Sequence, residues 1–235
     1  MSILILLAAA ILPAIILGYY ILKQDPQPEP TSLLVKAALY GVGIIIPIFI
    51  VETIIQLCLF GSDGPISLLG TTIEAFIVAA LPEEGFKLLA LWLVLRKNPF
   101  FDEHFDGIVY AVCIGLGFAT IENVGFIFQE GNGLSVAISR ALFAVPGHYA
   151  FAVIMGYYYS LYHFVDRSSR TAIYILLIPV VAHGIYDAIV LGGNVNPYIG
   201  CVSTFVLICF CIKMHKFAKE KMFAQIDRDK KCYNT

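Results

Sequence analysis

Read from end to end, the chain alternates long apolar runs with short polar breaks. The runs occupy residues 3–22, 37–60, 68–95, 106–128, 136–162, 172–191 and 198–212. Six of them reach the ~20 residues a helix needs to cross roughly 30 Å of hydrocarbon, and the seventh is marginal. Lipid offers no partner to a bare peptide group, so such runs predict helices that satisfy their own backbone. The expected fold class is all-α: a polytopic transmembrane helical bundle of about seven spans, whose short links make consecutive helices antiparallel neighbours. Residues 1–212 form that bundle in this reading, and residues 213–235 a basic tail.

Charge gives the bundle an orientation. Lys23, Lys36, Arg96, Lys97, Arg167 and Arg170 lie in the first, third and fifth breaks, and seven more Lys and Arg residues follow the last run, from Lys213 to Lys231. Residues 61–67, 129–135 and 192–197 contain none. Because basic loops stay on the cytoplasmic side, the N-terminus is expected outside and the tail inside. No basic residue precedes residues 3–22, which are also long for a signal peptide, so they are read as a span. The tail interleaves its lysines with Phe217 and Phe223 and suits anionic headgroups better than nucleic acid. Five of the six cysteines fall in spans and Cys232 in the tail, so no disulfide framework is expected. At 59% hydrophobic and 14% charged, the chain leaves little material for a soluble head, and any chemistry must occur in the membrane.

Ionisable side chains in hydrocarbon cost several kcal/mol unless paired or wet, which makes each one a functional candidate. This chain carries Glu52, Glu74, Glu83, Glu84, Lys87, Glu122, His148, His183 and Asp187 within its spans. The densest stretch is 82–87, PEEGFK. Pro82 interrupts the backbone ladder, so the third run is expected to break or restart there, with Glu83 and Glu84 in the first turn of a new half-helix. Lys87 lies four and three residues beyond them, on the same face, where one ammonium offsets two carboxylates. His148 follows Pro146-Gly147 at a second irregular turn, and His183 and Asp187, four apart, share a helix face. Three polar turns at similar depth point to a shared water-containing cavity, although each alone is also compatible with interhelical bonding. Gly115, Gly117 and Ala119 offer a small-residue surface for close helix approach. Glu122 and Asn123 lie toward the outer face, where they line a water path or stabilise the bundle; Asp106 is placed at the cytoplasmic boundary as a cap.

PEEGFK at 82–87, FDGIVYAVCIGLGFATIEN at 105–123, His148 after Arg140, and HGIYD at 183–187 together resemble the PrsW family of intramembrane proteases. That family is similar in turn to the CAAX prenyl endopeptidases and to the non-catalytic multi-span subunit of gamma-secretase. The resemblance implies a protease of the bacterial inner membrane that cleaves a single-span regulator such as an anti-sigma factor in a stress response. It matches Glu83 and Glu84 to the family's paired glutamates, Lys87 to its lysine, and His148, His183 and Asp187 to its later polar positions. Lys87 stands where the CAAX group has arginine, and Phe143 precedes His148 by five residues rather than four, which argues against prenylated substrates.

The leading expectation is a glutamate-type peptidase with no required cofactor. Glu83 or Glu84, with Glu83 favoured, draws a proton from water, and His148 and His183 stabilise the oxyanion. Lys87, Asp187 and Glu122 complete the candidate site. A variant makes Glu83, His148 and His183 ligands of a divalent metal such as zinc, although no HExxH motif is present. The rival classes are a proton-coupled transporter using the same acidic cavity and a noncatalytic membrane scaffold.

Overall fold

The computed structural model describes residues 3–129, 133–195 and 197–233, and among them every regular element is a helix. In chain order these are α1 (Ile3–Leu22), α2 (Thr31–Gly43), α3 (Ile45–Phe60), α4 (Leu68–Ile73), α5 (Leu81–Leu95), α6 (Asp106–Gln129), α7 (Gly133–Ser139), α8 (Val145–Phe164), α9 (Ser169–Gly193) and α10 (Pro197–Tyr233). A π-helical segment, Glu74–Ala80, joins α4 to α5, and another, Arg140–Ala144, joins α7 to α8. Parts of two lysine-free links, residues 130–132 and 196, lie outside the described residues.

The polytopic helical bundle is present. Six helical stretches are long and apolar enough to cross a membrane: Leu4–Leu22, Thr31–Phe60, Asp106–Ile127, Leu134–Phe164, Ser169–Gly193 and Tyr198–Tyr233. The continuous helix from α4 to α5 is long enough as well, but Glu74, Glu83, Glu84 and Lys87 lower its apolar character. The last run does not stop at residue 212. It belongs to the 37-residue α10, roughly 55 Å at 1.5 Å per residue, which outreaches the hydrocarbon. Beyond the bilayer α10 is two-faced rather than lying free. Met214, Ala218, Met222, Gln225, Ile226 and Asp229 turn inward while Lys213, Lys216 and Lys219 stay exposed.

The basic links gather at one end. Asp229 accepts backbone N–H bonds from His104 and Phe105 at 2.8 and 2.9 Å, the Gln27 amide reaches Tyr233, and Phe101 packs on Phe164. The first, third and fifth links and the end of α10 therefore share a face of the molecule, as their common charge requires.

The two π segments explain how proline is accommodated. In a regular helix the Pro82 ring would strike the carbonyl of Val78, and that of Pro146 the carbonyl of Leu142. Instead Leu81 N–H bonds back to Phe76 and Val145 N–H to Arg140, five residues earlier, which widens the turn just before each proline. The expected break at Pro82 is thus a wide turn in an unbroken helix, with Glu83 and Glu84 in the first turn of α5.

Helices α6 and α8 form the buried centre, with α1 and α2 against α6 and with α9 and α10 against α8. Small residues let these backbones nearly touch. A methyl group added at Gly117 would lie 2.2 Å from the Ala38 carbonyl oxygen, and one at Gly156 would lie 2.3 Å from that of Gly107. Neither obstacle is a side chain able to swing away. Gly117→Leu is expected to lower stability by roughly 3 kcal/mol, whereas Gly43→Ala, which meets nothing within 4 Å, leaves it unchanged. Thermal melting of the two variants in detergent tests this; equal midpoints would mean that α2 and α6 do not meet at Gly117.

Candidate active site

Each wide turn presents a polar residue to the same point. Downstream of the first, Glu83, Glu84 and Lys87 occupy the inner face of α5. Downstream of the second, His148 sits one turn into α8, and α9 brings His183 and Asp187. Gly184 permits that approach: α9 lies so close to the first π segment that a methyl group there would fall 2.4 Å from the Phe76 ring.

At the centre is the Lys87 ammonium. It donates to Glu83 Oε2 at 3.0 Å and to Glu84 Oε1 at 2.8 Å, and it lies 3.2 Å from His148 Nδ1. It also stands over the Phe118 ring, 4.2 Å from the centroid. His183 reaches Glu84 Oε1 with Nδ1 at 2.9 Å and Asp187 Oδ2 with Nε2 at 3.1 Å, while Phe151 stacks on its ring. Glu83, Glu84, Lys87, His148 and His183 are all buried, and Glu84 is fully so. The three polar turns therefore meet by direct side-chain contact.

Hydrogen-bond roles follow from what an ammonium is able to do. Lysine has donors and no acceptor, so the His148 nitrogen facing it must be the lone-pair nitrogen. The hydrogen then resides on Nε2, which lies 3.0 Å from Glu122 Oε2. Glu122 is thus bonded into the cluster rather than lying apart from it. Arg140 holds that same carboxylate oxygen through Nη2, and its Nε donates to Asn123 Oδ1 at 2.6 Å. Sequence reasoning placed neither Arg140 nor Asn123 beside the site. The signal was available, since an arginine inside an apolar run needs an acidic partner. Asp187 is at the margin, its side chain 21% exposed. Glu52 on α3 has Glu83, Glu122, Lys87 and His183 as charged neighbours, whereas Glu74 is near Gln56 and Asp187. Asp106 begins α6, but the N–H groups its carboxylate accepts, from Asp102 and Glu103 at 3.1 and 2.7 Å, belong to the preceding link, so it ties that link down rather than capping the helix.

The donor set fits a small divalent ion. Glu83, Glu84, His148 and His183 each offer a ligand atom, and these atoms all lie within 4.8 Å of one another. Two carboxylates and two imidazoles suit a zinc-like ion, and the inward lone pair of His148 Nδ1, fixed by a carboxylate on the far nitrogen, is the usual arrangement of a metal-binding histidine. Glu84 Oε2 is a buried acceptor without a partner. The Lys87 ammonium supplies the positive charge among these groups.

Comparison with known proteins identifies the family. The model of the PrsW family intramembrane metalloproteases matches residues 29–214. Proteins named Protease PrsW are similar along almost their whole length. That of Clostridioides difficile is 34% identical over 95% of this chain and 92% of its own, and that of Geobacillus kaustophilus is 32% identical over 94% of each. That of Oceanobacillus iheyensis is 33% identical over 91% of this chain and 95% of its own. No solved structure matches. With the family's model covering most of the chain and relatives of this identity aligned end to end, the chain belongs to the PrsW family of intramembrane proteases.

Proposed function

We propose that the Lys87 cluster is the active site with which this protease cuts a single-span membrane protein such as an anti-sigma factor. We place it in the inner membrane of a bacterium, N-terminus outside and basic helix end in the cytoplasm. The observation that carries this reading is the buried ammonium bonded to two carboxylates and facing a histidine lone pair. Packing alone gives no return for holding such a group in hydrocarbon.

The direction of His148 supports one of two chemistries. An oxyanion needs a donor, and the inward nitrogen of His148 is an acceptor, so the residue is suited to hold a metal rather than to stabilise the oxyanion. In the reading we favour, Glu83, His148 and His183 hold the ion. An ion held there would supply Lewis acidity toward the scissile carbonyl and would lower the pKa of water. Glu84 is the general base: its unpartnered Oε2 accepts a proton from water as the water oxygen attacks the carbonyl carbon. The same carboxyl then delivers that proton to the departing amide nitrogen as the C–N bond breaks. Lys87 offsets the charge of the paired carboxylates. Asp187 fixes the His183 ring, and Arg140 positions Glu122, which fixes that of His148. Lipid-facing α3, with Glu52 turned toward the cluster, is the candidate wall past which a substrate helix enters.

Glu84→Gln is expected to lower cleavage by about 10²–10⁴-fold while the purified protein keeps one zinc; Glu83→Gln loses both cleavage and zinc. Full activity in Glu84→Gln removes it as the base, and zinc retained in Glu83→Gln removes that ligand. Chelation of the wild type is expected to abolish cleavage and added zinc to restore it; activity that survives complete removal of metal favours glutamate-only chemistry.

Arg140→Met leaves a buried carboxylate without its cation. Melting should report a loss of roughly 3 kcal/mol, and competition with a chelator should report zinc affinity down about 10–100-fold, with Arg140→Lys intermediate. Wild-type affinity in Arg140→Met would detach Arg140 from the site.

A further inference from the structure

A second group of carboxylates lies at the opposite end of α6. Asp25 and Glu29 come from the first link, Glu103 precedes α6, and Asp106 begins it. Asp25, Glu103 and Asp106 each offer an oxygen, and these lie within 4.8 Å of one another. Glu29 accepts a hydrogen bond from the Tyr110 hydroxyl and borders Asp106. Among the described residues none of the four is ion-paired to a lysine or arginine.

Proximity alone would say little. The oxygens that have nothing to bind say more. Glu103 is 94% buried, and neither of its carboxylate oxygens has a hydrogen-bond partner within 3.5 Å, although the Gln27 side chain lies close enough to interact with it. Asp106 is fully buried; its Oδ2 accepts the Asp102 and Glu103 N–H groups, and its Oδ1 has no partner within 3.5 Å. Asp25 Oδ1 accepts the Gln27 backbone N–H, and its buried Oδ2 has no partner. These four atoms are half of the eight buried side-chain polar atoms without a partner among the described residues. Acceptors left bare in this way cost about 1–3 kcal/mol each, more when charged.

From this geometry we propose that Asp25, Glu103 and Asp106, with Glu29 beside them, bind a hard divalent cation of the magnesium, manganese or calcium type. The chemistry of the set favours such ions over zinc, since every donor is a carboxylate oxygen and none is nitrogen or sulfur. Burial, reinforced by neighbouring carboxylates, pushes Asp25 up to about 6 and Glu103 up to about 7 and raises Glu29, the behaviour of acids that lack a cation. A cation there clips the first link to the start of α6. The N–H groups of His104 and Phe105 are already tied to Asp229, so the same clip reaches the end of α10. The proposal stands apart from the proteolytic reading.

The test uses the full chain in detergent, stripped of metal and titrated separately with Mn²⁺, Mg²⁺ and Ca²⁺. Binding is followed by the manganese spin-resonance signal and by thermal melting. We expect saturable binding at or below about 1 mM, the weak end of protein oxygen sites, together with a rise in melting temperature. Glu103→Gln and, separately, the milder Asp25→Asn should each weaken binding at least tenfold. The Glu83→Gln protein, which lacks a ligand of the other site, should keep the binding that Glu103→Gln and Asp25→Asn weaken, which distinguishes the two sites. No saturable binding, or binding unchanged in both Glu103→Gln and Asp25→Asn, overturns the proposal. So does a Glu103→Gln protein that is more stable than wild type while the wild type ignores added cation, since shared protons would then hold the cluster together.

Discussion

One lysine ammonium organises the centre of this molecule. Lys87 is bonded to Glu83 and Glu84 on its own helix and faces His148 on α8, while His183 from α9 is joined to the same Glu84 oxygen. Remove the cation and two adjacent carboxylates confront each other in a setting where even one is expensive. The rest of the bundle serves that arrangement. Gly117 and Gly156 let α6 lie against α2 and α8, and Gly184 lets α9 close on the first π segment. Packing and electrostatics are one problem here, because only helices at near-backbone contact bring these polar turns within hydrogen-bond reach.

The candidate site is layered. Glu122 holds His148, Arg140 and Asn123 set Glu122, and Asp187 holds His183 from the more exposed side. A histidine without such support could rotate its ring or exchange tautomers. With it, His148 has one assignment, hydrogen outward and lone pair inward, forced by the inability of an ammonium to accept. An inward lone pair suits a metal ligand better than an oxyanion donor, in keeping with a family described as metalloproteases.

Much of this was legible in the sequence because membranes are exacting solvents. Apolar length gave the helices, and intramembrane charge gave Glu83, Glu84, Lys87, His148, His183 and Asp187 as candidates, which the fold brings into one neighbourhood. What stayed hidden was partnership across helices. Arg140 and Glu122 are 18 residues apart on different helices, and no local spacing rule joins them. The length of α10 was underestimated because its second half trades lipid for protein contact. That half keeps a helical face of Met214, Ala218 and Met222 but interleaves it with lysines, so its average polarity resembles that of a tail. The carboxylates around Asp106 come from the first link and from residues just before α6, and no local spacing rule joins them.

The wide turns before Pro82 and Pro146 carry a further meaning. A π turn amounts to one residue inserted into an α-helix, and each residue advances the side-chain direction by about 100°. Upstream and downstream of such a turn, the same helix presents different angular sectors to its neighbours. The parts of the α4–α5 rod before and after its π segment are thus out of phase with each other. A single period fitted along the whole stretch would blur both, so the seam where chemistry concentrates is also where helical periodicity is least informative.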